Sequence, residues 1–283
     1  MSYRTILVYL DSQARSEALL AVATELAEKH HAHLIGLYVV PSLGLYFSAE
    51  HPIPSEMIDN HVAYHREIAD SIKSQFELAT ANKDYVSEWR EVAAECYPIG
   101  TVADAITELA HTVDLVVVSQ EDADSARSSQ REVPERIVLS AGRPVIVVPS
   151  RGEVNHTGSE IFVAWDGGVE ATRAVFDALP MLREADRVTV HRVNPHHFER
   201  HRILSVPAEL VNTLSRHGVN VTLSQSEAGS GDIGEEILQY VRDRGANLLV
   251  MGAYGHSRIR EYIFGGTTRK VLLEMPIPVL MSH

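Results

Sequence analysis

Short apolar runs recur along this chain, each closed by a charge, a proline or a glycine. Ile6-Leu-Val-Tyr-Leu10 stops at Asp11, and Ile161-Phe-Val-Ala-Trp165 stops at Asp166. An alanine-rich amphipathic stretch follows each one, Ser16 to His30 and Glu170 to Glu184, with the spacing of a helix. His33 to Pro41 and Arg187 to Pro195 are strand-like runs that end in proline. Further on, Val113 to Ser119 corresponds to Ala246 to Gly252, and Arg143 to Pro149 corresponds to Ile277 to Ser282. The same units in the same order make the chain a tandem duplication. Runs that are apolar throughout predict strands buried on both faces, as in a parallel sheet with helices packed above and below. The polar, turn-rich stretch Ser150 to Ser159 reads as the linker, so the expected domains are residues 1–151 and 158–283.

The copies differ in length. The first carries an insert, Ser42 to Ala81, in which Ile58, Val62, Ile68, Ile72 and Phe76 fall near helical spacing between Glu56 and Leu78. Shorter helices are predicted over Glu235 to Arg244 and Arg269 to Glu274.

Two glycine clusters, Gly252/Gly255 and Gly265/Gly266, lie close together near the end of the second copy. Gly252 stands where a strand ends, and ligands of open α/β sheets sit beyond the carboxyl ends of the strands. Bare backbone there lets amides approach a ligand with no side chain in the way. The second cluster opens a predicted helix, whose free amides and dipole attract anions. The hydroxyls of Thr267 and Thr268 suit either phosphate contact or helix capping. A glycine pair before a helix is also an ordinary turn, and on these residues alone both readings stand.

Charge sharpens the choice. The 283 residues carry a formal charge of −13, which disfavours nucleic acid as a partner. Yet His256, Arg258, Arg260, Arg269 and Lys270 cluster around the glycines, and local positive charge in an acidic chain points to a triphosphate. Cys96 is the only cysteine, which excludes an intrachain disulfide and a multi-cysteine zinc site. No apolar stretch approaches the roughly 20 residues of a membrane span, and the apolar part of the start is too short for a signal peptide. The expectation is a cytoplasmic protein with no membrane or nucleic-acid partner.

Gly252-x2-Gly255-x9-Gly265, followed closely by hydroxyl residues, resembles the nucleotide-binding signature of universal stress proteins. The resemblance covers the chain: an aspartate after the first strand, a proline after the second, and a terminal Pro-Val strand, in both halves. It implies two five-stranded, doubly wound, Rossmann-like domains and a stress-response regulator or sensor that binds ATP, with or without Mg2+, in its C-terminal half. By the same resemblance Asp166 contacts the nucleoside and the backbone of Val193 reads adenine. Gly252 and Gly255 form the ribose and phosphate loop, with His256 beside it, and Gly265, Gly266, Thr267 and Thr268 clasp the triphosphate. One departure is Gly266, where the family usually has Ser, Thr or Asn. Family dimers join through their terminal strands, so Val145 to Val148 and Val279 to Met281 are expected to pair antiparallel and make one chain a pseudo-dimer. The insert is the expected surface for a further homodimer.

The first half lacks these features. Ser119, Gln120, Glu121 and Asp122 replace the first glycine loop, and Arg131 to Pro134 replace the clasp, so no ATP is expected there. Gly229, Gly231 and Gly234 fit a dinucleotide fingerprint, but the next strand ends without the acidic residue that would hold a ribose. The histidine groups, His30, His31 and His33 and then His191, His196, His197 and His201, read as surface and not as metal ligands. Between Gly252 and Lys270 the only carboxylate is Glu261, so the expected activity is at most slow ATP hydrolysis, with no assigned catalytic residue. The alternatives are a nucleotide-free scaffold or small-molecule sensor, and an ATP-hydrolysing or adenylate-forming enzyme. Gly252→Val is expected to remove binding while leaving the unliganded fold intact.

Overall fold

The computed structural model describes residues 2–43, 54–97, 100–121, 133–152, 154, 156–193, 206–227, 232–255 and 266–283. The apolar runs are the strands of one ten-stranded sheet. The first half supplies β1 (Thr5–Tyr9), β2 (His33–Val40), β3 (Ser87–Ala93), β4 (Leu115–Ser119) and β5 (Val145–Val148). The second supplies β6 (Glu160–Ala164), β7 (Arg187–Val193), β8 (Val221–Ser226), β9 (Leu248–Gly252) and β10 (Val279–Ser282). Their order is β3-β2-β1-β4-β5-β10-β9-β6-β7-β8, so each half repeats one doubly wound topology and the two meet back to back. All neighbours are parallel except β5 and β10, which pair antiparallel with Val147 opposite Val279 and Ile146 opposite Leu280. The expected pseudo-dimer is therefore present within one chain.

The helices, in chain order, are α1 (Gln13–His30), α2 (Ser55–Thr80), α3 (Val102–Ala110), α4 (Val133–Ser140), α5 (Val169–Asp177), α6 (Leu179–Leu182), α7 (Val206–Arg216), α8 (Ile233–Arg244) and α9 (Thr267–Glu274). They cover both faces of the sheet, which is why the strands are apolar throughout. In β4, Leu115 and Val117 enter one core layer while Val116 and Val118 enter the other, all with no exposed surface. Full burial of each such side chain stabilises the fold by roughly 1.5–3 kcal/mol. Among the described residues, no helix is long and apolar enough to cross a membrane.

Two expected elements differ. The stretch Glu170 to Glu184 is two helices, α5 and α6, because Pro180 falls in the first turn of α6 and restarts the helix. The insert is the β2-to-β3 crossover, whose counterpart in the second half is α7; what is added is length, 26 residues against 11. At 1.5 Å per residue α2 is about 39 Å long, more than the roughly 26 Å of β2 beneath it. Its second half packs on the sheet, where Phe76 lies so close to Gly36 that a Cβ there would sit 2.7 Å from the ring. Its first half overshoots, and Ile58 and Val62 on its apolar stripe are 43% and 46% exposed.

Polar contacts tie the halves at the seam. The Tyr3 hydroxyl donates to the Asp177 carbonyl at 2.8 Å, and Arg173 donates to the Gly142 carbonyl at 2.9 Å. The linker is pinned to α1, where Glu25 accepts from the Thr157 amide at 2.9 Å.

Candidate functional site

The chain runs off the carboxyl end of β6 into Trp165 and Asp166. The Asp166 carboxylate accepts from the Gly168 amide at 2.7 Å, which closes the turn that opens α5. Gly167 in that turn has φ +86, a conformation that favours glycine. The adjacent strand β7 ends at Val193, and β9 ends at Gly252. After β9, Tyr254 takes the left-handed conformation with φ +58. Its amide donates to the Thr268 hydroxyl at 3.1 Å, and its phenol donates to Glu135 at 2.6 Å. Gly266 caps α9, accepting the first intrahelical bond from Lys270, and Thr267 and Thr268 form the first turn.

These elements enclose a pocket of about 140 Å³ lined by Asp166, Val193, Gly252, Gly255, Thr267 and Thr268. Six of the sequence-predicted site residues are thus brought together, and Gly266 adjoins them as the helix cap. His256 and Gly265, with the cations Arg258 and Arg260, lie outside the described residues, as does Glu261. Sites that enclose a whole small ligand typically measure roughly 300–1,000 Å³. The cavity among the described residues is smaller than that, and Gly255 and Thr267 stand at its edge.

The floor is apolar, formed by Ala164, Ile233, Ile237 and Met251 together with His191. His191 is 1% exposed; its Nε2 meets the Ser226 hydroxyl at 3.1 Å and its ring lies 4.2 Å from that of Tyr240. Burial pushes its pKa down to about 4, so the imidazole is neutral at physiological pH. Sequence reasoning grouped His191 with surface histidines. The period-two pattern of β7, which puts residues 191 and 193 on one face, is the signal that would have placed it beside Val193.

Three expectations need correcting. Lys270 does not face the pocket: its ammonium sits 3.0 Å from Glu235 and 3.1 Å from Glu274, and these hydrogen bonds, Glu235 first, raise its pKa. Among the described residues no lysine or arginine lines the cavity, whereas two carboxylates do, Asp166 and Glu170. Glu170 was not anticipated, and its Oε2 would lie 2.7 Å from a Cβ placed on Gly255. Gly252, finally, lies against the backbone of α5. A Cβ there would fall 2.3 Å from the Ala171 nitrogen and 2.6 Å from the Glu170 carbonyl carbon. Gly252→Val must therefore disturb the unliganded fold, because the backbone of α5 has no room to yield.

In the first half the corresponding loop is filled with side-chain chemistry. Arg15, four residues after Asp11 as Glu170 is after Asp166, donates to the Ser119 hydroxyl at 3.0 Å, to the Ser150 carbonyl at 2.8 Å and to the Pro149 carbonyl. Gln120 is buried and spends its amide on Leu272 and Ser150. Of the dinucleotide-like glycines only Gly234 is described, and its amide is bound by the helix-capping Asp232 at 2.7 Å. Among the described residues no three His, Cys, Asp or Glu side chains converge as a metal site; His197 and His201 fall outside them.

A doubly wound half with a crevice at the carboxyl ends of its strands belongs to the open α/β class that binds ligands at that edge. Residues 159–283 match the universal stress protein family. Across 214 residues the chain is 27% identical to a universal stress protein of Synechocystis sp., covering 74% of this chain and 71% of the relative. A universal stress protein structure from Archaeoglobus fulgidus shares the fold at a TM-score of 0.70 and 16% identity, over 98% of this chain and 95% of that one. A structure from Pseudomonas aeruginosa does so at 0.58 and 15% identity, over 99% and 93%. The C-terminal half therefore carries a universal stress protein domain, and the whole chain repeats that fold in tandem.

Proposed function

We propose that residues 158–283 form an adenine-nucleotide-binding domain that takes ATP, and that residues 1–151 form a companion domain with no nucleotide site. The observation that supports this most directly is the meeting of Asp166, Val193, Gly252, Gly255, Thr267 and Thr268 around one crevice. Its apolar floor suits a base. The Asp166 carboxylate suits ribose hydroxyls, and the bare amides at Gly255 and the start of α9 suit phosphate oxygens. The output is regulatory, a stress-response switch or sensor in the cytoplasm, with nucleotide setting its partners. Hydrolysis is slow or absent, because activating water needs a positioned base and Asp166 is engaged by the Gly168 amide at the other end of the pocket. Mg2+ fits this reading as the ion that would reconcile Glu170 with a triphosphate. A homodimer through α2 is part of the proposal, supported by the exposed side chains Met57, Ile58 and Val62.

A nucleotide-free scaffold or small-molecule sensor is the second reading. Gly252 is required by α5 whether or not a ligand binds, and Glu170 places negative charge beside Gly255. Calorimetric titration of the full chain with ATP, with and without Mg2+, separates the two. One site per chain is expected, with turnover below about 1 per second, the low end of ordinary enzymes. Two equal sites would contradict the companion role of the first half, and no binding would favour the scaffold. Faster turnover would make the protein an enzyme.

A further inference from the structure

The half without glycine loops reaches into both walls of the other half's pocket. Glu135 on α4 accepts the Tyr254 phenol at 2.6 Å across the seam. Tyr254 stands between Gly252 and Gly255, is 9% exposed, lines the cavity, and holds a left-handed backbone that a non-glycine residue adopts only under constraint. Contacts among the described residues contribute to that constraint: the phenol on Glu135, and the amide on Thr268 at 3.1 Å, which joins the β9 loop to the first turn of α9. The second wall is held from behind. Gln120, in the place Ala253 has in the repeat, donates its side-chain amide to the Leu272 carbonyl in α9 at 2.7 Å, while its oxygen accepts the Ser150 amide at 2.7 Å. So Gln120 at the end of β4 and Glu135 on the helix after it grip the clasp helix and the β9 loop of the second half.

We propose that Glu135 and Gln120 are positioning residues for the pocket of the C-terminal half, so that the first half is a built-in scaffold for a site it does not itself contain. Neither residue touches the ligand. Glu135 acts through Tyr254, whose ring orientation sets the path of the backbone from Gly252 to Gly255; Gln120 acts through α9, whose first turn presents Thr267 and Thr268. The ligand's identity rests on the nucleotide reading above, but the order of the loop is measurable with no ligand present.

The experiment uses the full chain and the variants Glu135→Ala, Glu135→Gln, Tyr254→Phe and the double variant Glu135→Ala/Tyr254→Phe. Exchange of the Tyr254 amide in the unliganded protein reads the loop directly. It is expected to quicken by at least about tenfold in Glu135→Ala and Tyr254→Phe, the scale of one lost hydrogen bond to a charged group. ATP affinity is expected to fall by about the same factor in both, with Glu135→Gln close to wild type because its carbonyl still accepts the phenol. The double variant is expected to lose no more than either single one, since both remove the same contact. Unchanged Tyr254 exchange in Glu135→Ala overturns the proposal, as does unchanged affinity in a wild type that binds. If the wild type binds no ATP, the nucleotide reading falls while the exchange result still decides whether Glu135 orders the loop.

Discussion

His191 is buried as a neutral base, with one ring nitrogen on Ser226 and the other, Nδ1, without a hydrogen-bond partner among the described residues. Its pKa is lowered to about 4 by burial, against about 6.5 in an unfolded chain. Between these values the unfolded state binds the proton and the folded state does not, so stability is fully present above the unfolded value. It drains as pH falls towards 4. Urea unfolding should show wild type losing of order 2 kcal/mol more than His191→Phe between pH 7 and pH 5. Carboxylate titrations are common to both proteins and cancel in the difference. Parallel pH profiles would mean the imidazole is solvated and protonated in the fold.

Among the elements, α5 decides more about the pocket than the motif suggested. Its first turn runs against Gly252 with no gap for a methyl group, while the neighbour of Gly255 is the far end of the Glu170 side chain, which can swing away. The two glycines of one motif therefore have different roles. Gly252→Ala should destabilise the unliganded protein by about 3 kcal/mol, the upper end of the usual cost of overpacking. Gly255→Ala should cost less than about 1 kcal/mol, because a flexible side chain absorbs the strain. Thermal or denaturant unfolding without ligand measures both, and equal costs would show that α5 retreats from β9. The spacing of the glycines was readable in the sequence. That one of them faces a helix was not, because the residues it meets, Glu170 and Ala171, are more than eighty positions away in the chain.

For the whole molecule, the seam makes two copies into one unit. β5 and β10 are buried along their lengths, and both core layers draw side chains from each half. Ile146 faces Leu280 in the antiparallel pairing, and neither is exposed. Ile146→Ala should cost about 2–5 kcal/mol, as buried large-to-small changes do. It should lower the melting of both halves together, since each terminal strand would otherwise leave an unpaired edge. Differential scanning calorimetry is expected to give one transition, shifted as a whole. Two transitions, only one of them displaced by the substitution, would show that the halves unfold independently.

Short-range pattern alone set the apolar runs, the duplication, the strand ends at Asp166 and Gly252, and a helix after the second glycine cluster, which the structure starts at Thr267 and not at the predicted Arg269. These are local because burial on both faces of a sheet imprints a continuous apolar signal on each strand, and chain breakers mark its ends. The pairing of the terminal strands was anticipated through family resemblance, and the antiparallel register of Val147 with Val279 realises it. Which side chains meet across the fold was settled in three dimensions. Lys270 turned out to be held by Glu235 and Glu274, His191 to lie under the pocket, Pro180 to split a helix, and α2 to overshoot its strand. The tie between Tyr254 and Glu135 depends on a contact between residues 119 positions apart in sequence. Such contacts leave no local trace, because hydrogen bonds and charges act over a few ångströms of space and are indifferent to distance along the chain.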